Sequence, residues 1–236
     1  MSAPFVFKEF SVAQDQCAMK IGTDGVLLGA WAPLDHQPDR ILDIGAGTGV
    51  IALMLAQRSQ AETIDAVELI DAAYEQCVAN FENAPWADRL FCYHAHLEEL
   101  LEEDFTYDLL VSNPPFYSED NLKTEQERAA ARESSALPFP LLLQAAKTLL
   151  SPKGLFALVL PHKEETGFIA LAAATGLFPQ QIMRVKGHEQ APIKRSYMVF
   201  GFEKARCRET QLVIETARHQ YTEAYKNLVK DFYLKM

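Results

Sequence analysis

The sequence predicts an α/β fold around a largely parallel sheet. Three observations carry that expectation: short apolar runs alternate with helical patterns from about residue 40, a glycine-rich turn follows the first run, and the last two runs are joined by a short connection. In chain order the strands fall at Arg40 to Ile44, Thr63 to Glu68, Leu90 to His94, Tyr107 to Ser112, Gly154 to Leu160, Gln180 to Val185 and Ser196 to Phe202. Helices fit between them at Val50 to Gln57, Asp71 to Asn83, Leu97 to Leu101, Pro140 to Leu150 and Glu165 to Thr175. Gly154 and Gly176 fall where elements end, as expected of residues that can take φ above zero. The connection Lys186 to Ile193 is too short for a helical crossover, so the last two strands are expected to pair as an antiparallel hairpin. The expectation is a seven-stranded mixed sheet with a reversed last strand, in a single domain over 1–236 with an N-terminal extension over 1–32.

Three segments stand outside the repeats. The extension carries strand-like Phe5, Phe7, Phe10 and Val12, a turn at Gln14-Asp15-Gln16, and the run Met19 to Trp31. Residues 117 to 137 are polar, and such a stretch serves either as a lid or as an unstructured connection. Tyr221, Tyr225, Leu228, Val229 and Phe232 have helical spacing, which predicts a packing helix.

Composition sets the class. With 49% hydrophobic and 23% charged residues, no apolar run of the roughly 18 residues that a membrane helix needs, and an amino terminus (MSAPFVFKEF) without a basic-then-apolar layout, the expectation is a soluble cytoplasmic protein with no membrane partner. Cys17, Cys77, Cys92 and Cys207 are far apart and include no C-x-x-C pair, so neither a zinc site nor a disulfide framework is indicated. A formal net charge of −10 argues against a polyanionic partner, but the charge is unevenly spread. Between Gln181 and Arg208 seven basic residues (Arg184, Lys186, Lys194, Arg195, Lys204, Arg206, Arg208) stand against two acidic ones (Glu189, Glu203), so that segment is net +5 and the rest −15. It reads either as an ordinary solvated face or as a basic rim able to orient a polyanion.

The chemistry concentrates at the ends of the predicted strands. After Tyr107 to Ser112 comes Asn113-Pro114-Pro115-Phe116, where two prolines forbid further ladder bonding and leave Asn113 on the lip of the sheet. Its amide offers one acceptor and two donors, and Phe116 offers a flat apolar face, a combination suited to a planar amine, although Asn-Pro also serves as a plain turn. Gly45, Gly47 and Gly49 alternate between the first strand and its helix. A dinucleotide fingerprint would need Gly at 50, where Val50 stands, so the turn fits a small ligand better than a pyrophosphate, with a helix N-terminus available to a carboxylate. Glu68 ends the second strand, placed to accept hydrogen bonds from ribose hydroxyls. Asp43 precedes the glycines and could orient the loop or meet a cationic ligand centre.

Together these residues resemble the class I S-adenosylmethionine-dependent methyltransferases, whose Rossmann-like three-layer sandwich closes parallel crossovers with an antiparallel strand. LDIGAGTGV matches their cofactor loop and NPPF their amino-methyltransferase motif. Within that class QDQCAMKIGTDGVLLGAW, NPPF and the closing DFYLKM are similar to the bacterial tRNA1(Val) (adenine-N6)-methyltransferases, which act on adenine 37, just 3′ of the anticodon. The resemblance implies S-adenosylmethionine as cofactor, the tRNA anticodon loop as partner, a monomer, and no metal. It also implies that Lys20, Thr23 and Asp24 lie near the methionine end of the cofactor, joined at the cofactor site by Asp43, Gly45, Gly47, Gly49, Glu68 and Asn113. His96 stands where an Asp is usual for the adenine ring.

An exocyclic amine is a poor nucleophile until its nitrogen is pyramidalised. Asn113 Oδ1 and the Pro114 carbonyl can each accept one N–H, while Phe116, with Tyr117, stacks on the base. Arg128 and Arg132, four apart, share a helix face and can reach a phosphate or pair with neighbouring glutamates; Lys194 and Arg195 are the other RNA-contact candidates. Guanine N2 of ribosomal RNA and a protein glutamine amide are planar amines too, so NPPF alone leaves them open. A catalytically silent binding scaffold is the alternative outside enzymes.

Overall fold

The computed structural model describes residues 3–102, 104–115 and 137–235. One side of its main sheet consists of four parallel strands, β3 (Arg40–Ile44), β4 (Thr63–Glu68), β5 (Leu90–His94) and β6 (Tyr107–Ser112), joined by α2 (Val50–Arg58), α3 (Asp71–Glu82) and the short α4 (Leu97–Leu100). Then follow α5 (Phe139–Leu149), β7 (Leu150–Pro161), α6 (Glu165–Thr175), β8 (Phe178–His188), β9 (Ile193–Gly201), β10 (Arg208–Ala217), β11 (Gln220–Tyr221) and α7 (Glu223–Val229). The sheet runs β11-β10-β8-β9-β7-β6-β3-β4-β5. The β8–β9 hairpin forms as expected, and β9 is antiparallel to both its neighbours, β7 and β8.

From Leu109 on, strand β6 alternates with the period of two, Leu109 and Val111 joining one core and Leu110 the other, while Tyr107, across a register irregularity between Tyr107 and Leu109, also joins the second core. The first core lies under α2, α3 and α7, with Met54, Cys77, Phe81 and Val229 among its members, and the second under α4, α5 and α6, with Leu97, Leu142 and Phe168. Burial on both faces explains why β3 and β6 read as continuous apolar runs.

The sheet has nine strands where seven were expected. The additions, β10 and β11, lie at the open edge, and β10 has the sequence RETQLVIETA with mostly exposed residues, so it carries little apolar signal. Helix α1 (Thr23–Trp31) likewise escaped the periodicity, because Gly25 through Ala30 are all buried and a helix covered all round shows no amphipathic stripe.

The chain ends meet. Strands β1 (Phe5–Val6) and β2 (Ser11–Val12) form a small hairpin, Phe7 bridges Tyr233, and the Lys8 N–H donates to Phe232 O at 2.9 Å. The next residues are pinned to α3: Asn80, which is buried, accepts from the Ala13 N–H (2.8 Å) and donates to Ala13 O (3.0 Å) and Thr48 O (2.8 Å). Among the described residues no helix is long and apolar enough to cross a membrane.

Helix α1 lies hard against α2. Arg58 Nη1 donates to Gly29 O (2.7 Å) and Ala32 O (3.1 Å), and a Cβ at Gly29 would stand 2.8 Å from Met54 Sδ and 2.9 Å from Met54 Cβ. Alanine would gain about 1 kcal/mol of helix propensity, but overpacking costs about 1–3 kcal/mol, and the clash includes a Cβ that cannot swing away. Gly29→Ala is therefore expected to lower the urea-unfolding free energy by about 1 kcal/mol. An unchanged or raised midpoint would show that the two helices can separate without loss.

Candidate active site

Register brings the site together. Ile44 pairs with Val67 and with Ser112, so Gly45, Glu68 and Asn113 all leave the sheet at one edge. Because β9 is reversed, its beginning reaches the same edge, with Arg195 opposite Pro161. The Ser112 hydroxyl, a residue the sequence did not single out, donates to Ile44 O at 2.9 Å and ties the residue before Asn113 to the residue before Gly45.

The glycine loop folds back over β4 through bonds from the Gly45 and Ala46 N–H groups to Val67 O (2.9 and 3.2 Å). Gly45, Gly47 and Gly49 have φ of 73°, 57° and 76°, a region L side chains rarely adopt. They differ in what surrounds them. A Cβ at Gly45 or Gly47 would meet nothing within 4 Å, whereas one at Gly49 would stand 2.6 Å from Phe81 and 2.8 Å from Cys77 Sγ. Gly45 and Gly47 thus leave open space for a ligand, and Gly49 lets the loop pack on α3.

Glu68 is 9% exposed. Its Oε2 accepts from the Gly47 N–H (2.8 Å) and its Oε1 from the Ile70 N–H (2.9 Å), so it shapes the loop while each oxygen keeps a second lone pair. Asp43 is fully buried at the start of α2, with Oδ2 accepting from the Ala52 N–H at 3.2 Å and Oδ1 without a partner in the described structure. The bond ties Asp43, at the end of β3, to the first turn of α2. Burial, aided by the nearby Glu68 charge and partly offset by the Ala52 bond, pushes its carboxyl up to about 7.

Asn113 is half-buried beside the start of α1, where a Cβ at Gly25 would lie 3.8 Å from Asn113 Nδ2. Thr23 and Lys20 are exposed at this entrance. Asp24 is half-buried, its Oδ2 paired with Arg195 Nε at 2.7 Å and its carbonyl accepting from Tyr197 OH at 3.4 Å. Pro114 is buried next to Asn113. Phe116, Tyr117, Arg128 and Arg132 lie outside the described residues, as does all of the 117–137 stretch but its last residue.

His96 is exposed and caps α4, its N–H donating to Glu99 Oε1 at 2.7 Å. The sequence reading passed over Leu69 and Ile70, which follow Glu68 at the site edge and are 42% and 45% exposed, offering apolar surface to a flat ring. Two uncharged residues directly after a strand-end carboxylate were the available signal.

The basic segment does not form one rim. Arg184 is held by Glu165 (Nη2 to Oε1, 2.6 Å) and by Glu209 (Nη1 to Oε2, 2.7 Å), which together raise its pKa further. Arg195 is engaged with Asp24. Arg208 pairs with Gln181, at the edge remote from Asn113, while Lys186 pairs with Ile193 at the near edge. Folding antiparallel strands onto one another sends alternate ends of a continuous basic stretch to opposite edges. Lys186 and Lys194, the latter exposed, stay near the site. Among the described residues no group of three or more His, Cys, Asp and Glu side chains is arranged to hold a metal ion.

The site so assembled has open space beside two glycines, a carboxylate next to it, and an amide followed by a proline carbonyl at one end. Residues 26–173 match the family model "Methyltransferase small domain". A tRNA1(Val) (adenine(37)-N6)-methyltransferase of Christiangramia forsetii is 56% identical over 236 residues, covering 99% of this chain and 98% of the relative. One of Bacteroides fragilis is 42% identical over 239 residues with full coverage of both. In fold the chain resembles a solved structure described as a predicted O-methyltransferase from Agrobacterium tumefaciens (TM-score 0.68, 19% identity, 89% of this chain and 96% of the other). It also resembles the CcbJ methyltransferase of Streptomyces caelestis (TM-score 0.57, 14% identity, 80% and 95%).

The raised Asp43 carboxyl has a stability consequence. The folded protein holds that proton more tightly than the unfolded chain, so the contribution is fully present below about pH 4 and is lost as the pH rises through about 7. Asp43→Asn keeps an acceptor for the Ala52 N–H without the titration. Its stability relative to the native protein should improve steadily between about pH 4 and pH 8 in urea melts; a difference flat with pH would mean the native carboxylate ionises at no cost.

Proposed function

The chain belongs to the methyltransferase small domain family and, within it, to the tRNA1(Val) (adenine(37)-N6)-methyltransferases; from that premise we propose that it transfers a methyl group from S-adenosylmethionine to N6 of adenine 37 in tRNA1(Val). The observation that carries the reading is the convergence of Asn113, the open glycines Gly45 and Gly47, and the start of α1 at one sheet edge. Bound S-adenosylmethionine supplies an electrophilic sulfonium methyl.

The residues present fit that cofactor. Gly45 and Gly47 leave the room a flat nucleoside needs, and Glu68, at the end of β4, has lone pairs for ribose hydroxyls. Leu69 and Ile70 offer apolar surface to the adenine, with His96 expected at its polar edge. Lys20, Thr23 and Asp24, at and just before the start of α1, surround the methionine end, and the first turns of α1 and α2 present N–H groups to its carboxylate.

At the substrate end, the Asn113 Oδ1 and the Pro114 carbonyl each accept one N–H of the adenine amine. Drawing both protons into the acceptor plane pyramidalises the nitrogen and frees its lone pair for in-line attack. The prolines fix these two acceptors, so the gain is one of positioning. Phe116 and Tyr117 stack on the base. A strong general base is unnecessary, because the N-methylated cation is acidic and loses its proton readily. The adenine must leave its stack, at about a few kcal/mol, and an anticodon loop lowers that cost because its bases are unpaired. A tRNA substrate makes the cytoplasm the working compartment, and one chain supplies every residue invoked, so a monomer suffices.

With labelled S-adenosylmethionine and tRNA from a strain lacking the modification, nucleoside mapping should find N6-methyladenosine at position 37. Label confined to ribosomal RNA or protein, or no cofactor binding at all, would sink the reading. Asn113→Ala should lose about 10²-fold or more in kcat while its cofactor Kd stays close to that of the native protein. Charge segregation predicts a second contrast. Lys186→Gln and Lys194→Gln should each weaken tRNA binding and reduce the slope of log K against log salt by about 1, whereas Arg206→Gln and Arg208→Gln should leave it unchanged.

A further inference from the structure

The closing segment around Tyr233, conspicuous in the sequence, takes no part in the chemistry above. With the amino-terminal hairpin and the β10–β11 edge it encloses a cleft of about 530 Å³ whose walls include Phe5, Tyr221, Tyr225 and Tyr233. Tyr221 and Tyr225 lie with ring centroids 5.2 Å apart at 31°, and Phe5 meets Tyr233 edge-on at 6.1 Å. Tyr225 is buried, while Tyr221 and Tyr233 are half-buried. At the mouth, Val6 is 50% and Leu234 58% exposed, apolar side chains left facing water.

Two observations connect this cleft to the reaction. Thr23 lines it, and Thr23 opens α1, whose Gly25 faces Asn113; two residues of helix are about 3 Å of rise. Ile214 and Glu215, also in its wall, lie at the sheet edge that carries the site, since Val213 pairs with Lys186 and Glu215 with His188. The cleft and Asn113 therefore lie at the same edge of the sheet and share the start of α1, so a strand of RNA whose target base enters beside Asn113 has the cleft on its side of the molecule.

We propose that this cleft receives the unstacked base of a nucleotide flanking the target adenine. The proposal rests on the RNA-methyltransferase reading. Tyrosine rings are platforms for bases of any identity, and single-stranded RNA is bound by stacking of this kind. Lys235 stands at the wall as a partner for the connecting phosphate, and the Glu215 carboxylate, which accepts from the His219 N–H, retains acceptor capacity for a base N–H. Bases differ in their N–H donors, so the cleft contributes to the choice of sequence beside the methylated position as well as to affinity.

The test uses the full-length protein, S-adenosylmethionine and an unmodified anticodon stem-loop RNA carrying 2-aminopurine on either side of the target. Binding should quench the fluorophore at one flanking position. Tyr221→Ala should abolish that quenching and raise KM for RNA about tenfold with kcat and the cofactor Kd unchanged; Tyr221→Phe, which keeps the ring, should restore both. Leu234→Glu, at an exposed position where folding is not at stake, should also raise KM. Unchanged KM and quenching in Tyr221→Ala and Leu234→Glu, with methylation intact, would overturn this inference and leave the function reading standing. A dimer that Leu234→Glu dissociates without effect on RNA would give the cleft to a second copy and overturn it too. Native protein that fails to methylate tRNA would remove the function reading and this one together.

Discussion

The parallel pairing of β3 with β4 and with β6 is the constraint on which the rest of the site depends. A functional group at the end of a strand has no fixed neighbour until register is set. Here Ile44 lies level with both Val67 and Ser112, and the glycine loop, Glu68 and Asn113 follow from that alignment. Slippage by one residue on β6 would exchange its two faces, sending Leu110 into the core that Leu109 and Val111 occupy. The alignment is therefore held by the packing of both cores, and the Ser112 bond to Ile44 adds a local lock at the edge where precision matters.

Around that edge the polar groups do double duty. Glu68 closes the loop through two backbone N–H groups and still faces the opening over Gly47. Asp43 supports the start of α2 at the cost of a buried carboxyl with one oxygen unpartnered, a position where a neutral amide would be less costly to bury. Asn80 unites Ala13 and Thr48, so the extension and the glycine loop share one anchor. The Asn80 joints are not visible as a motif, since their partners lie 67 and 32 positions away in sequence.

The sequence was most legible where local physics decides the outcome. Strands buried on both faces announced themselves as apolar runs, and β3 through β6 begin and end where expected. The hairpin was legible because eight residues cannot span a crossover. Less was visible where tertiary context dominates. The outlying strand β10 has exposed residues at most positions, and α1, being covered on all sides, lacks a stripe. The glycines were legible as a turn, but only surrounding atoms distinguish Gly45 and Gly47, open to a ligand, from Gly49, pressed on Phe81. Charge misled most. A basic run along the chain becomes several separate neighbourhoods when its strands reverse, and Arg184 and Arg195 turn out to be occupied by carboxylates.

The clasp between the two ends of the chain carries a consequence for how the molecule is made. Phe7 and Lys8 reach their partners only when Tyr233 and Phe232 exist, and Lys8 Nζ donates to Lys230 O across 222 positions of sequence. During vectorial synthesis β1 and β2 emerge early and wait for residues 230–233 to leave the ribosome. Such a contact is formed late, because closing so long a loop carries its entropic cost before any local reward. The clasp sits on the segment that leads to Ala13, and thus to Asn80 and Thr48. The anchoring of the glycine loop through Asn80 is thereby adjacent to a contact that needs residues 230–233, so a nascent polypeptide that has not reached them lacks the clasp.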